Sequence, residues 1–376
     1  MINSVIQALM FTLKFVLGGG GNLDLYYFYA MLVFVFYVCK RTKLLNKIIK
    51  IWAFLICVHI VIILFNGIEQ EVIRNIVSIS KLFINIVLMM FVADNFKKWN
   101  LGQIINCISL VLFIEIIFAI IFRESILWRH NDIINVYSKT RLQLLYIEPS
   151  ELSLHCALVL ILIMICVVEK GFKRIFLLDS MVCIVALILS AGMSGIACLV
   201  ISVCIFYIYK VLRDKRILKK TYKLILIAIV SVIALFFIKK SLFLRVVAIL
   251  SGKDGSFYAR IYGPVKVLLN VLKGSNYMGL GAGMLNTDIG FQMTGLYYKF
   301  PNSYMYMIAE YGLFGIITMI GFLWYLFRIA FKKADYVLIL LMFLVVFQMI
   351  GGYFSNPIFW FGYGIILSYK RDTKEI

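Results

Sequence analysis

Residues 102–122 read GQIINCISLVLFIEIIFAIIF. Apolar side chains dominate this stretch from end to end, and its length matches the roughly 20 residues that a helix needs to cross the hydrocarbon core of a bilayer. The rest of the chain has the same character. It holds 376 residues, of which 63% are hydrophobic, whereas soluble domains sit near about 45–50%. The mean hydropathy is +0.99. A water-soluble core cannot bury so much apolar surface, and lipid is the expected solvent for most of it.

Comparable runs lie at 2–17, 25–39, 49–65, 75–92, 150–168, 175–191, 195–209, 222–238, 304–327, 336–354 and 358–369. The expected fold class is therefore all-α: a polytopic membrane helix bundle of about twelve transmembrane helices, forming a single integral membrane domain over residues 1–376. The runs at 2–17, 25–39, 195–209 and 358–369 are short, as tilted or shielded helices can be. The first imitates a signal peptide, but it has no basic start and no small-residue cleavage site, and Lys14 interrupts it. It reads as a first span.

Charge supplies an orientation. The chain has 38 Lys and Arg against 18 Asp and Glu, a net charge of +20. In a soluble protein that excess would suggest nucleic acid. Here the basic residues gather in short connections around residues 40–50, 97–98, 170–174, 210–223, 328–333 and 370–374, and the short turns between those connections are almost free of them. The positive-inside rule then places these connections and both termini in the cytoplasm. Two long outer segments break the pattern, 123–149 and the larger 239–303. No internal repeat is visible, so the inverted halves of a transporter are not indicated.

The larger outer segment has structure of its own. Phe257, Ile261, Val265, Leu268, Leu269 and Leu272 fall on one helical stripe, flanked by Arg260, Asn270 and Lys273. This pattern predicts an amphipathic helix lying in the interface, with Pro264 near its start or at a kink. Residues 274–283, GSNYMGLGAG, follow as a flexible glycine-rich turn. The GLGAG run resembles a phosphate loop only superficially: no strand precedes it and no Lys-Ser or Lys-Thr follows.

The eight cysteines lie inside or beside apolar runs without CxxC spacing, so they read as packing residues rather than disulfides or ligands. His59 and His155 occupy separate runs and lack partners at ligand spacing, and no metal centre is expected. His130 stands beside Asp132 in the first outer segment, a weak proton-transfer candidate. Ser194 has no base placed by spacing.

Arg141 and the run Glu148-Pro-Ser-Glu151 precede and open the apolar run at 150–168. Pro149 and Glu151 suit the first turn of a helix. Glu148 stands at the membrane edge, close in sequence to Arg141, where an ionisable group is costly unless paired or wet. Arg260 has two readings. It either snorkels towards phospholipid headgroups or clamps a phosphate with its planar fork. Arg245, Lys239, Lys240 and Lys266 add positive charge on a side where the topology rule disfavours it, and an anionic partner there would explain them.

Three motifs occur in order. Arg141 is followed by Tyr-Ile-Glu-Pro-Ser-Glu at 146–151; Leu-Ser-Ala-Gly-Met-Ser-Gly stands at 189–195; and Gly-Leu-Gly-Ala-Gly-Met at 279–284 precedes Pro-Asn-Ser-Tyr-Met-Tyr-Met-Ile-Ala-Glu-Tyr-Gly-Leu-Phe-Gly at 301–315. Together with the two unequal outer segments, from about Gly102 onwards, the chain resembles bacterial O-antigen polymerases of the Wzy type. Relatives usually have Leu-Ser-Arg-Ser-Gly at the second motif. Many related ligases carry a histidine before the asparagine of the third, where this chain has Pro301, and that departure favours a polymerase.

The resemblance implies a membrane glycosyltransferase of the bacterial inner membrane that uses no cofactor. It would move a growing glycan from undecaprenyl pyrophosphate onto a new lipid-linked repeat unit at the periplasmic face. Arg260 first, and Arg141 second, would meet the charge that builds on the leaving pyrophosphate, with Glu148 as base. Tyr258, Asn302, Tyr304, Arg245 and Lys266 would line the substrate site. The implied partners are the undecaprenyl-pyrophosphate-linked oligosaccharide, the lipid bilayer and a chain-length regulator in the same membrane, with no nucleic acid. The competing readings are an O-antigen ligase, acting on lipid A core, and a lipid-linked-oligosaccharide flippase, which should show paired halves and a charged central path.

Overall fold

The computed structural model describes residues 30–35, 42–130, 140–146, 148–213, 247–248, 251–252, 255–294, 300, 302–333, 335–350, 354 and 356–369. Its helices are α1 (Thr42–Asn66), α2 (Val72–Asn95), α3 (Leu101–Ile121), α4 (Pro149–Lys170), α5 (Arg174–Ser190), α6 (Met193–Arg213), α7 (Gly255–Gly274), α8 (Asp288–Thr294), α9 (Ser303–Lys333), α10 (Asp335–Ile350) and α11 (Pro357–Ser368). Two short strands, β1 (Trp128–His130) and β2 (Thr140–Leu142), pair antiparallel inside the first long segment, with Arg129 opposite Arg141.

Among the described residues, six helices are long and apolar enough to cross a membrane: Ile49–Asn66, Val72–Lys98, Leu101–Ile121, Pro149–Lys170, Met193–Arg213 and Ser303–Lys332. The chain is a multi-pass membrane protein, but the expectation of about twelve transmembrane helices is corrected. An apolar run does not always become a helix of spanning length. The runs at 175–191, 336–354 and 358–369 form α5, α10 and α11, of 17, 16 and 12 residues. At about 1.5 Å per residue, even α5 reaches only about 25 Å of a hydrocarbon core about 30 Å thick. Left-handed Ala191 stops it at its C-terminal end. The run at 195–209, read as short, forms α6 of 21 residues. The expected spans at 2–17 and 222–238 lie outside the described residues, and that at 25–39 is described only over 30–35, which is helical.

The chain forms two compact units. Unit 1 comprises Met1–Phe15, Asn100–Phe257 and Leu338–Phe347; unit 2 comprises Val16–Trp99, Tyr258–Val337 and Gln348–Ile376. In unit 1, α4 packs on α5 and α6, and α5 on α3. In unit 2, α2 packs along α11, an approach that needs Gly364: a Cβ there would lie 2.6 Å from the Val92 Cβ. The core of unit 2 gathers Ile62, Leu82, Val271, Leu280, Met284 and Phe300. The amphipathic segment is helical, as α7, with Pro264 inside it. It buries Val271 in that core and leaves Val265, Lys266 and Leu269 exposed.

Candidate functional site

Three stretches singled out in the sequence meet in unit 1. Strand β2 delivers Arg141, whose Nε and Nη2 donate to the carbonyls of Ser190 and Ala191 at 3.0 and 3.3 Å. Carbonyls at a helix C-terminus lack intrahelical partners, and a cation there also suits the helix dipole. The turn that follows packs directly on the start of α4. A Cβ on Gly192 would lie 2.2 Å from the Ser153 Oγ, and one on Gly195 would lie 2.2 Å from the Ser153 carbonyl oxygen. Gly195 N–H donates to Ser153 Oγ at 3.1 Å, and the Ser153 and Ser194 hydroxyls donate to the Ser150 carbonyl at 2.7 and 3.3 Å. Pro149 and Glu151 occupy the first turn of α4, as the sequence predicts. Glu148 is its exposed N-cap residue, and its carboxylate accepts from the Ser150 hydroxyl at 3.0 Å.

Unit 2 is organised around a break in α9. The helix opens on Asn302, whose Oδ1 accepts from the N–H groups of Tyr304 and Met305 at 3.0 and 3.2 Å. At Gly312 the backbone leaves the helical region, with φ 53 and ψ −135. The carbonyls of Ala309 and Glu310 accept instead from the N–H groups of Leu280 and Gly281, each at 2.9 Å, and Leu313 N–H donates to the Tyr277 carbonyl at 3.0 Å. The Glu310 side chain takes the Gly283 N–H on Oε1 at 2.8 Å. Glu310 is fully buried. Its Oε2 has no hydrogen-bond partner among the described residues.

The connection from α1 to α2 holds the same loop from another direction. Asn66 Nδ2 donates to the carbonyls of Gly279 and Leu280, both at 3.2 Å, and Gln70 Nε2 donates to the Leu280 carbonyl at 2.9 Å. The stretch 274–283 is therefore clamped, not the flexible turn that its composition suggests. Gly279 N–H goes to Ser275 Oγ at 3.1 Å, so the N–H groups of residues 279, 280, 281 and 283 all have partners within the chain. A phosphate cradle needs such groups free to face its anion.

Beside the break lies a cavity of about 210 Å³. One wall is a face of α9: Tyr304, Met307, Tyr311, Phe314 and Thr318 recur at three- and four-residue steps. Phe54 and Leu55 of α1, Leu82 and Ile86 of α2, and Trp360 and Tyr363 of α11 complete much of the lining. Its polar patch is small. The Tyr363 hydroxyl donates to Gln348 Oε1 at 2.5 Å and is hydrogen-bonded to the Tyr304 hydroxyl.

The residues marked out from the sequence are thus distributed. Unit 1 holds Arg141 and Glu148, tied into one cluster through Ser150, Ser153 and Ser190. Unit 2 holds Tyr258, Arg260, Lys266, Asn302 and Tyr304. Asn302 caps a helix and Tyr304 lines the cavity. Lys266 is exposed. Tyr258 and Arg260 stand on α7, but their side chains, like Arg245, lie outside the described residues. Sequence reasoning missed Glu310, although it sits inside a quoted motif; the signal was a carboxylate two residues before a glycine in an otherwise apolar run. It also missed Glu115, buried on α3, whose carboxylate oxygens have no hydrogen-bond partner among the described residues. Ionisable groups within spans mark functional sites often enough to be examined first. Compared with protein-family models and with curated proteins, the chain matches none.

Proposed function

We propose that the chain is a membrane glycan polymerase that extends a lipid-pyrophosphate-linked surface polysaccharide, of O-antigen type, at the outer face of the bacterial inner membrane. Its main support is the packing of the motif stretches: 279–284 and 301–315, separate in sequence, form one hydrogen-bonded body in unit 2. In unit 1 the stretches around Arg141, 148–151 and 189–195 likewise converge. The apolar cavity along α9 suits the hydrocarbon tail of a lipid-linked substrate, with Tyr304 at one end of its wall.

The chemistry asks little of the protein beyond position and charge. A hydroxyl of the acceptor repeat unit attacks the anomeric carbon of the growing glycan. The new glycosidic bond forms as the bond to the pyrophosphate breaks, and the electron pair leaves with undecaprenyl pyrophosphate. A carboxylate base takes the hydroxyl proton. Arg260 meets the charge that develops on the leaving group, and its fork fits phosphate oxygens better than a point charge does. Arg141 fixes the turn at 190–195 through the Ser190 and Ala191 carbonyls.

Deletion of the gene, with lipopolysaccharide resolved on a gel, tests the assignment. Polymerase loss leaves one repeat unit on each core. Bare core in the deletion strain points to a ligase or a flippase and overturns the assignment.

A further inference from the structure

We propose that the cavity of unit 2 is a binding site for an anionic diacyl phospholipid, which lodges one acyl chain between α1 and α9 and rests its phosphate on Lys47 and Lys50. The α1 wall of the cavity consists of Ile51, Phe54, Leu55 and Val58. Lys47, Ile51, Phe54 and Val58 follow at four-, three- and four-residue steps, so one helical face carries both the cation and the lining. Lys50 immediately precedes that wall, and both lysines are exposed. Phe54 on α1 and Thr318 on α9 line the cavity and are themselves exposed, whereas Leu82 and Phe354 behind them are buried. Both helices are of spanning length. The mouth at Phe54 and Thr318 therefore opens sideways, to lipid rather than to water.

Charge and length choose the occupant. Among the described residues that line the cavity none is charged, so the space takes hydrocarbon and keeps a phosphate outside it. Along α1 the first cations outside it are Lys50 and Lys47. The spanning stretch begins at Ile49, so both lysines stand at the level of the headgroups, where each attracts an anionic lipid. From Lys47 to Val58 the helix rises about 16 Å, and half of a hydrocarbon core about 30 Å thick is about 15 Å. An acyl chain of that leaflet, with its phosphate at Lys47, thus reaches the top of the α1 wall. The positive-inside pattern accounts for lysines at this end of a span, but not for a cavity that starts one turn beyond them. This inference goes beyond the polymerase reading, which puts the substrate's tail at Tyr304. Tyr304 lies towards the opposite end of α1: Asn66, the last residue of α1, holds the loop that is bound to Ala309 and Glu310. The two lipids meet the cavity from opposite ends.

Photolabelling of the full chain in phosphatidylcholine nanodiscs tests the site. The probe is phosphatidylglycerol with a diazirine near the end of one acyl chain, and the same chain on phosphatidylcholine is the comparison. Adducts are mapped by peptide mass spectrometry. With phosphatidylglycerol, adducts should fall on Val58, Leu82 and Phe314, inside the cavity, at least about tenfold more often than with phosphatidylcholine. Lys47→Gln/Lys50→Gln should remove that preference, and Lys47→Arg/Lys50→Arg should keep it. Thr318→Trp, which fills the mouth from an exposed position, should abolish labelling inside. Ile317→Trp, exposed on the same helix and outside the lining, should leave it unchanged. Labels confined to lipid-facing residues such as Ile317 and Trp324 would show that no chain enters, and overturn the site. Equal labelling by the two headgroups, or a preference that survives loss of both lysines, overturns the anionic lipid. Labelling inside that Thr318→Trp leaves intact overturns the sideways mouth. None of these readouts involves glycan transfer, so failure of the polymerase reading leaves the test intact.

Discussion

Gly279 and Gly312 meet backbone to backbone: a Cβ on Gly279 would lie 2.5 Å from the Gly312 nitrogen. Both residues also have positive φ, 85 for Gly279 and 53 for Gly312, where a side chain is strained even in open space. Alanine at either position should destabilise the protein by about 1–3 kcal/mol from backbone strain alone, with the clash in addition. Gly321, on the same helix, has nothing within 4 Å of a Cβ, and Gly321→Ala should be neutral or stabilising. Thermal unfolding in detergent separates these outcomes. Equal effects at Gly279 and Gly321 would show that the loop does not seat against the break.

The contact of Gly192 with Ser153 is of another kind, because its two closest atoms belong to the serine side chain. Gly192→Ala should cost about 1–3 kcal/mol through overpacking. In a Ser153→Gly background, which itself loses the hydroxyl's hydrogen bonds, Gly192→Ala should cost much less than in wild type. The same serine change should not rescue Gly195→Ala, whose Cβ would meet the Ser153 backbone at 2.2 Å. A double-mutant cycle measured by unfolding decides between them. Rescue of both alanines, or of neither, would contradict this packing.

Arg141 donates two hydrogen bonds to the carbonyls that end α5. Arg141→Ala should therefore lower stability by about 1.5–3 kcal/mol, the scale of hydrogen bonds that involve a charged group. Arg141→Lys should recover only part of it, since an ammonium lacks the fork that reaches both carbonyls. Full stability in Arg141→Ala, with activity abolished, would return this arginine to direct contact with substrate.

Much of this architecture was legible in the sequence. The long apolar runs at 102–122 and 150–168 became α3 and α4 with nearly the expected limits, because nothing in them interrupts a helix. Hydropathy misled where length was decided by other means. The run at 358–369 became α11 with nearly the expected limits, but its 12 residues are too few to cross, and residue letters do not show that one continuous run contains the non-helical Gly312. The candidate site was legible as motifs but not as partners. Glycines at 279, 281 and 283 read as freedom, whereas all three are held at positive φ and Gly279 lies too close to the Gly312 backbone for a side chain. Glu310 was passed over because the Gly283 N–H that it holds is remote in sequence.

Arg260 carries the proposed charge stabilisation. Arg260→Ala should reduce polymerisation about a hundred- to thousandfold, the usual cost of removing one such donor, and Arg260→Lys should retain little of it. Lys253→Ala, in the same outer segment, should be mild. Chain-length ladders compared at matched protein levels in the membrane check this. Near-normal ladders from Arg260→Ala, or equal function from lysine, would leave Arg260 as an interfacial residue that merely reaches for headgroups.

The most direct measurement is reconstitution of the purified chain in nanodiscs with undecaprenyl-pyrophosphate-linked repeat units as the sole glycan. The account predicts a ladder of products that differ by whole repeat units. It also predicts one undecaprenyl pyrophosphate released for each linkage formed. Transfer of glycan only when lipid A core is supplied, or movement of the lipid-linked repeat across the bilayer with no new glycosidic bond, would contradict it.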